Sequence, residues 1–139
     1  MIPFSVNFTP QQSEVDFSGN VNEVVYFDWA DRARVDFLRR AGIVRETFIA
    51  HRMGPIILEA RACYLRELHA EEHVEVTCEL DYDRGKTITI RHRFIRDHEA
   101  VVAELTKVIG MIDSTTGRLV ADPDRVLRAL ATEPDLLEL

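Results

Sequence analysis

Four segments in the later part of the chain read as strands, two of them with a clear period of two, and one segment ahead of them repeats with the period of a helix. In Lys86–Arg96, Ile88, Ile90 and Phe94 fall on one phase and Thr87, Thr89, Arg91 and Arg93 on the other. That is an antiparallel strand with one covered face. Val74, Val76, Cys78 and Leu80 repeat the pattern within His73–Arg84, and Arg84-Gly85 signals a tight hairpin between the two. Pro55–Glu67 and Ala100–Asp113 read as two further strands; Val101–Ile112 is apolar on both phases, which predicts a central position. The helical segment runs from Asn22 to about Ala41, where Val25, Trp29, Ala33 and Phe37, with Tyr26, Ala30, Leu38 and Ala41, recur at steps of three and four. Asn20 or Asn22 can cap it with a side-chain oxygen, and Gly42 can end it.

The remaining elements are smaller. Phe4–Val15 reads as a short strand weakened by Pro10, Phe17–Gly19 as a turn and Arg45–Gly54 as a loop. A C-terminal helix is predicted near Pro123–Ala131, with Pro123 in its first turn and Asp122 as its cap. The predicted order is a strand, one long helix and four strands in meander, an α+β single domain over residues 1–139. A helix of about 20 residues spans ~30 Å and covers one face of one sheet. The other face needs a partner, and the simplest is a second copy of the chain.

Composition narrows the function. A chain of 139 residues, 46% apolar, buries a core without staples. The net charge of −7 argues against a nucleic-acid binder. Cys63 and Cys78 lack CxxC spacing and sit in strand-like runs, as free thiols would. The start, MIPFSVNFTPQQ, has no basic residues or long apolar run, and no segment approaches the roughly 18 apolar residues of a membrane span. The expectation is a cytoplasmic protein without a membrane partner.

Several motifs compete for chemistry. HAEEH at residues 69–73 matches the H-x-x-E-H zinc pattern, but that pattern needs a helix and here falls between strands, so no metal is expected. His51, His92 and His98 have no partner at short range; His92, on the apolar phase, reads as a satisfied core histidine. There is no G-x-S-x-G elbow, Walker loop or G-x-G-x-x-G. EVDFSGNVN, residues 14–22, remains. A turn and a capped helix account for it. So does an active site, because a helix N-terminus offers unpaired N–H groups and a positive dipole end to an oxyanion on an acyl carbonyl. Asp16, three residues before Gly19, is the carboxylate placed to attack that carbonyl or activate water.

The run Asp16-Phe-Ser-Gly19-Asn-Val-Asn22-Glu-Val-Val-Tyr26, followed by Ala33-Arg34 and Phe37-Leu38, resembles the hotdog-fold acyl-CoA thioesterases of the 4-hydroxybenzoyl-CoA type. Their motif is D-x-D-x-x-G-H-V-N-N-x-x-Y. Here Glu14 replaces the first Asp, Asn20 the His and Glu23 the second Asn. Tyr64-Leu-Arg66 is similar to the family's Y-L-R segment, and the likeness spans about residues 4–118.

The resemblance implies a hotdog fold, with a long central helix wrapped by a curved antiparallel sheet. It implies a homodimer paired sheet edge to sheet edge, or a tetramer built from two such dimers. It implies acyl-CoA hydrolysis without metal or cofactor. Asp16 is then the catalytic carboxylate, and a backbone N–H near Asn22 or Glu23 polarises the thioester carbonyl. Gly19, Asn20 and Tyr26 join the substrate site, with Glu59 as a possible second carboxylate. Arg84 and Lys86 would hold the phosphates of coenzyme A, with Arg91 or Arg93 as weaker candidates; a solvated strand face or turn explains the same four residues. Two rival functions stand beside this one. The domain could bind acyl-CoA or an acyl-carrier protein without chemistry, as the changes at Asn20 and Glu23 suggest. A hotdog dehydratase or hydratase is the third, but it needs a His-acid pair that the motif lacks.

Overall fold

Helix α1, Glu23–Arg40, forms within one residue of the range its periodicity predicts. It ends as expected. Gly42 adopts φ +91°, a left-handed conformation that costs glycine little. The N–H of Ile43 donates to the Leu38 carbonyl and that of Gly42 to the Arg39 carbonyl, both at 2.9 Å, which is a Schellman cap. The computed structural model describes residues 3–139. Before α1 come β1, Phe4–Phe8, and a single 3-10 turn at Gln12–Glu14. The expected strand through Val15 is therefore cut short, ending before Pro10, which can donate no ladder bond.

After α1 come α2 (Arg45–Ala50), β2 (Met53–Tyr64), β3 (Val74–Tyr82), β4 (Ile88–Arg96), β5 (Ala100–Asp113), β6 (Arg118–Leu119) and α3 (Pro123–Leu130). Helix α2 occupies part of the expected loop at Arg45–Gly54. Its six residues are too few to show a helical period, and Phe48 is its buried residue. The Asp122 side chain makes no cap bond to α3; Pro123 does open that helix, as expected. The sheet order is β1-β3-β4-β5-β2, with β6 on β5. The four-strand meander is thus corrected to three strands, β3-β4-β5. Strand β2 crosses to the far edge, which the long connection at residues 65–73 permits.

The chain divides into two compact units. The first comprises the chain up to Arg34, with Arg61–Glu79 and Arg91–Thr106. There Tyr26, Trp29, Ala30 and Ala33 of α1 pack on Phe8, Val74, Val76, Phe94, Val102 and Leu105 of the strands. The steps of three and four put these helix residues on one face, and the two alanines let backbone approach sheet closely. Phe8 stacks on Trp29 at 5.5 Å between ring centroids, and Tyr26 meets Phe94 edge-on at 5.2 Å. Truncating Trp29, which is 1% exposed, would cost about 3–5 kcal/mol. His92 is the core histidine its phase predicts: it is buried, and its Nδ1 donates to the Thr77 carbonyl at 2.9 Å.

The second unit comprises Val35–Ala60, Leu80–Ile90 and Lys107–Leu139. Its buried side chains include Phe37, Ile43, Phe48, Ile88, Ile90, Ile109, Met111, Leu127 and Leu137. The Tyr82 hydroxyl donates to the Leu137 carbonyl at 2.6 Å and the Thr132 N–H to the Ala41 carbonyl at 2.9 Å, so both bonds tie down the C-terminal segment.

Candidate active site

Residues 14–22 fold on themselves. The N–H of Asp16 donates to the Asn20 carbonyl at 2.7 Å and that of Gly19 to the Asp16 carbonyl at 3.0 Å. Val15 and Val21 bridge across the resulting hairpin, and Gly19 takes φ +86° at its tip. The Asp16 side chain closes the turn from within. Its Oδ1 accepts from the Ser18 hydroxyl at 2.7 Å, the Ser18 N–H at 2.9 Å and the Asn20 N–H at 3.1 Å. This is an Asx turn, favoured because a short carboxylate reaches the backbone two residues on. Its Oδ2 accepts no hydrogen bond among the described residues. The Ser18 hydroxyl holds the Asp16 carboxyl below the usual carboxylate range; desolvation opposes this, and the backbone bonds from Asn20, Ser18 and Gly19 reinforce it. Asp16 is therefore ionised at neutral pH, with one oxygen structural and one free.

The turn also sets which helix N–H groups remain available. Asn22 donates its N–H to the Glu14 carbonyl at 2.9 Å, Val21 to Leu68 at 2.8 Å and Val25 to Asn22 at 3.0 Å. The backbone N–H of Asn22, one of the two expected to polarise a carbonyl, is thus already engaged. Those of Glu23 and Val24 have no acceptor among the described residues. Asn20 does not cap α1: its Nδ2 donates to the Ser18 hydroxyl at 3.3 Å, while its Oδ1 is buried without a hydrogen-bond partner.

Asp16, Asn20, Asn22, Glu23 and Tyr26 line one cavity of about 620 Å³. Its other wall is the run from Tyr64, the last residue of β2, to Leu68. Tyr26 and Tyr64 meet edge-on at 5.2 Å. Burial, with Tyr64 and Glu72 adding, pushes the Tyr26 phenol up to about 12. Burial and then Glu23 raise that of Tyr64. Both hydroxyls stay protonated at neutral pH and can donate. Sequence reasoning did not assign this second wall to the site, although the Tyr64-Leu-Arg66 match was its available signal.

The other expected site residues fall elsewhere. Gly19 shapes the turn and does not line the cavity. Neither do Glu59, exposed on β2, or Arg84 and Lys86, exposed at the β3–β4 hairpin. Arg91 is half-buried on β4; Arg93 pairs with Glu79 at 3.2 Å and Glu104 at 3.8 Å. HAEEH is a turn in which Glu71 takes φ +68°, and its histidines diverge: His69 lies 3.2 Å from Glu72, whereas His73 Nε2 lies 2.9 Å from the Asn7 side-chain oxygen. Among the described residues no helix is long and apolar enough to cross a membrane.

The sequence model of the thioesterase-like superfamily matches residues 10–130. Among curated protein sequences none matches. A hypothetical protein from Aquifex aeolicus is similar in structure, with TM-score 0.80 and 26% identity over 92% of this chain and 99% of that one. A hypothetical protein from Staphylococcus aureus, solved in complex with CoA, gives 0.80 at 19% identity over 93% and 84% of the two chains. A DHNA-CoA thioesterase from Staphylococcus aureus gives 0.79 at 16% over 93% and 86%.

Proposed function

The chain belongs to the thioesterase-like superfamily and has its α+β hotdog fold, and from that premise we propose that it hydrolyses an acyl-CoA thioester to a free acid and coenzyme A. One observation carries the proposal: the ionised Asp16 carboxylate, with Oδ2 free, lines the same cavity as Glu23, whose backbone N–H is unspent at the helix start. In this reading the Glu23 N–H, at the positive end of the α1 dipole, receives the negative charge that grows on the thioester oxygen. Asp16 Oδ2 takes a proton from the attacking water, or attacks the carbonyl carbon itself to form a mixed anhydride that water then hydrolyses to the free acid. The C–S bond breaks, and the thiolate leaves as coenzyme A. The buried Asn20 oxygen is an acceptor for that water or for an amide N–H of the substrate. The similar fold solved with CoA supports the choice of thiol.

The test is thiol release from a panel of acyl-CoA thioesters, wild type beside Asp16→Asn. Release by the wild type and loss in the variant supports the reading; turnover by the variant at the wild-type rate removes Asp16 from it. Asn20, which cannot carry a proton at neutral pH, favours the rival binding module. Tight acyl-CoA binding with no thiol released across the panel would select that rival.

We also propose that two copies pair along β2. This edge strand leaves Ile56, Ile57 and Leu58 between 37% and 46% exposed, an apolar edge that a second copy would cover. Sedimentation at the mass of one chain would refute the pairing.

A further inference from the structure

Arg66 is one of the residues that line the cavity with Asp16. Its placement comes from a break in strand regularity. The N–H groups of Leu65 and Arg66 both donate to the Val102 carbonyl, at 2.8 and 3.1 Å, the bond pattern of a β-bulge. A regular strand would offer alternate side chains to one side. A bulge re-aims them, and here residues 64–68 all border the cavity, although the Leu68 side chain itself turns into the core. Arg66 is exposed, and its guanidinium makes no hydrogen bond or ion pair among the described residues. This is so although Asp16, Glu23 and Glu67 line the same cavity. Glu67 lies 3.4 Å from His69, and Asp16 Oδ1 is spent inside its own turn. A planar fork of five donors is left open, in the geometry that suits a carboxylate.

Resting on the thioesterase reading, we propose that Arg66 selects acyl groups bearing a second carboxylate, as the monothioester of a dicarboxylic acid does. The reacting thioester must lie at Asp16, and Arg66 shares that cavity. The pantetheine arm leading away from the sulfur carries no charge, and the phosphates of coenzyme A lie at its far end. An anion within the cavity therefore belongs to the acyl side. Asp16 and Glu23 repel it, so the guanidinium must hold it by paired, charge-assisted bonds.

The test uses two non-hydrolysable thioethers, S-butyl-coenzyme A and its ω-carboxylated counterpart, together with the matching pantetheine thioethers that lack phosphate. Calorimetry measures their Kd on wild type, Arg66→Gln and Arg66→Lys. The carboxylated ligand is expected to bind the wild type about tenfold tighter or more. That ratio falls to near one in Arg66→Gln and is partly kept in Arg66→Lys, in both ligand series. Equal affinity of the two ligands for the wild type overturns the proposal. So does an Arg66→Gln loss confined to the coenzyme A series, which would assign the guanidinium to a phosphate. The readout is binding, so absent turnover would defeat the hydrolysis reading and leave this one decided on its own result.

Discussion

The cavity has two walls built by opposite means. The wall from Asp16 to Tyr26 is held by bonds between near neighbours: Asp16 to Ser18, Asp16 to Asn20, Gly19 to Asp16. The wall from Tyr64 to Leu68 is held at a distance. Its backbone bonds to Val102, its Leu68 carbonyl accepts from Val21, and the Leu68 side chain is 1% exposed in the core. Short-range bonds cost little chain entropy to close, whereas long-range ones depend on the whole core being in place. The first wall carries the proposed chemistry, and the second carries Arg66, the proposed selector of the acyl group.

The largest expected effect separates chemistry from architecture. Asp16→Asn keeps an oxygen to accept from Ser18 and Asn20, so the turn should persist. Thioester turnover should fall about a hundred- to ten-thousand-fold with little change in Tm. A collapse of Tm in that variant would show that the charge, not the acceptor, holds the wall. Next, Leu68→Ala should cost about 2–5 kcal/mol in urea unfolding, the loss typical of a buried leucine. Smaller is Gly19→Ala. An added Cβ there meets nothing within 4 Å, so only the φ of +86° opposes it, at about 1–2 kcal/mol. A larger loss at Gly19 than at Leu68 would reverse the contrast between the walls.

The smallest effect is a shift in pH dependence. The Ser18 hydroxyl is the main cause of the lowered Asp16 pKa. In the proposed mechanism ionised Asp16 is the active form, so the acid limb of kcat/KM should lie below the usual aspartate value of about 3.9. Removing the hydroxyl in Ser18→Ala raises the Asp16 pKa, and the limb should move to higher pH. A limb that stays in place would mean that the backbone bonds alone hold the carboxylate.

The same contrast explains what the sequence made legible. Helix α1 and strands β3, β4 and β5 lie within a few residues of their predicted ranges, because periodicity is a property of adjacent residues. Asp16, Asn20, Asn22, Glu23 and Tyr26 share a wall for the same reason: turn, cap and first helical turn are consecutive. The neighbour of β2 was not legible. Its pairing with β5 joins segments far apart in the chain, and no local pattern records which edge a strand joins. The Leu65–Arg66 bulge depends on Val102 and was hidden likewise. Arg84, Lys86 and Glu59 follow from the family resemblance and a position on a hairpin or strand, which does not fix a residue's distance from this cavity.

The bonds that hold the Asp16 side chain are local, and locally held parts can be inherited separately. Its donors, acceptor and left-handed glycine span residues 16–20. Drift in the facing wall can remodel what enters the cavity without touching the bonds that hold the carboxylate. A lineage built this way can change its diet while keeping its teeth. The motif should likewise be portable: grafted ahead of a helix on another scaffold, those five residues carry their own instructions for where the carboxylate points.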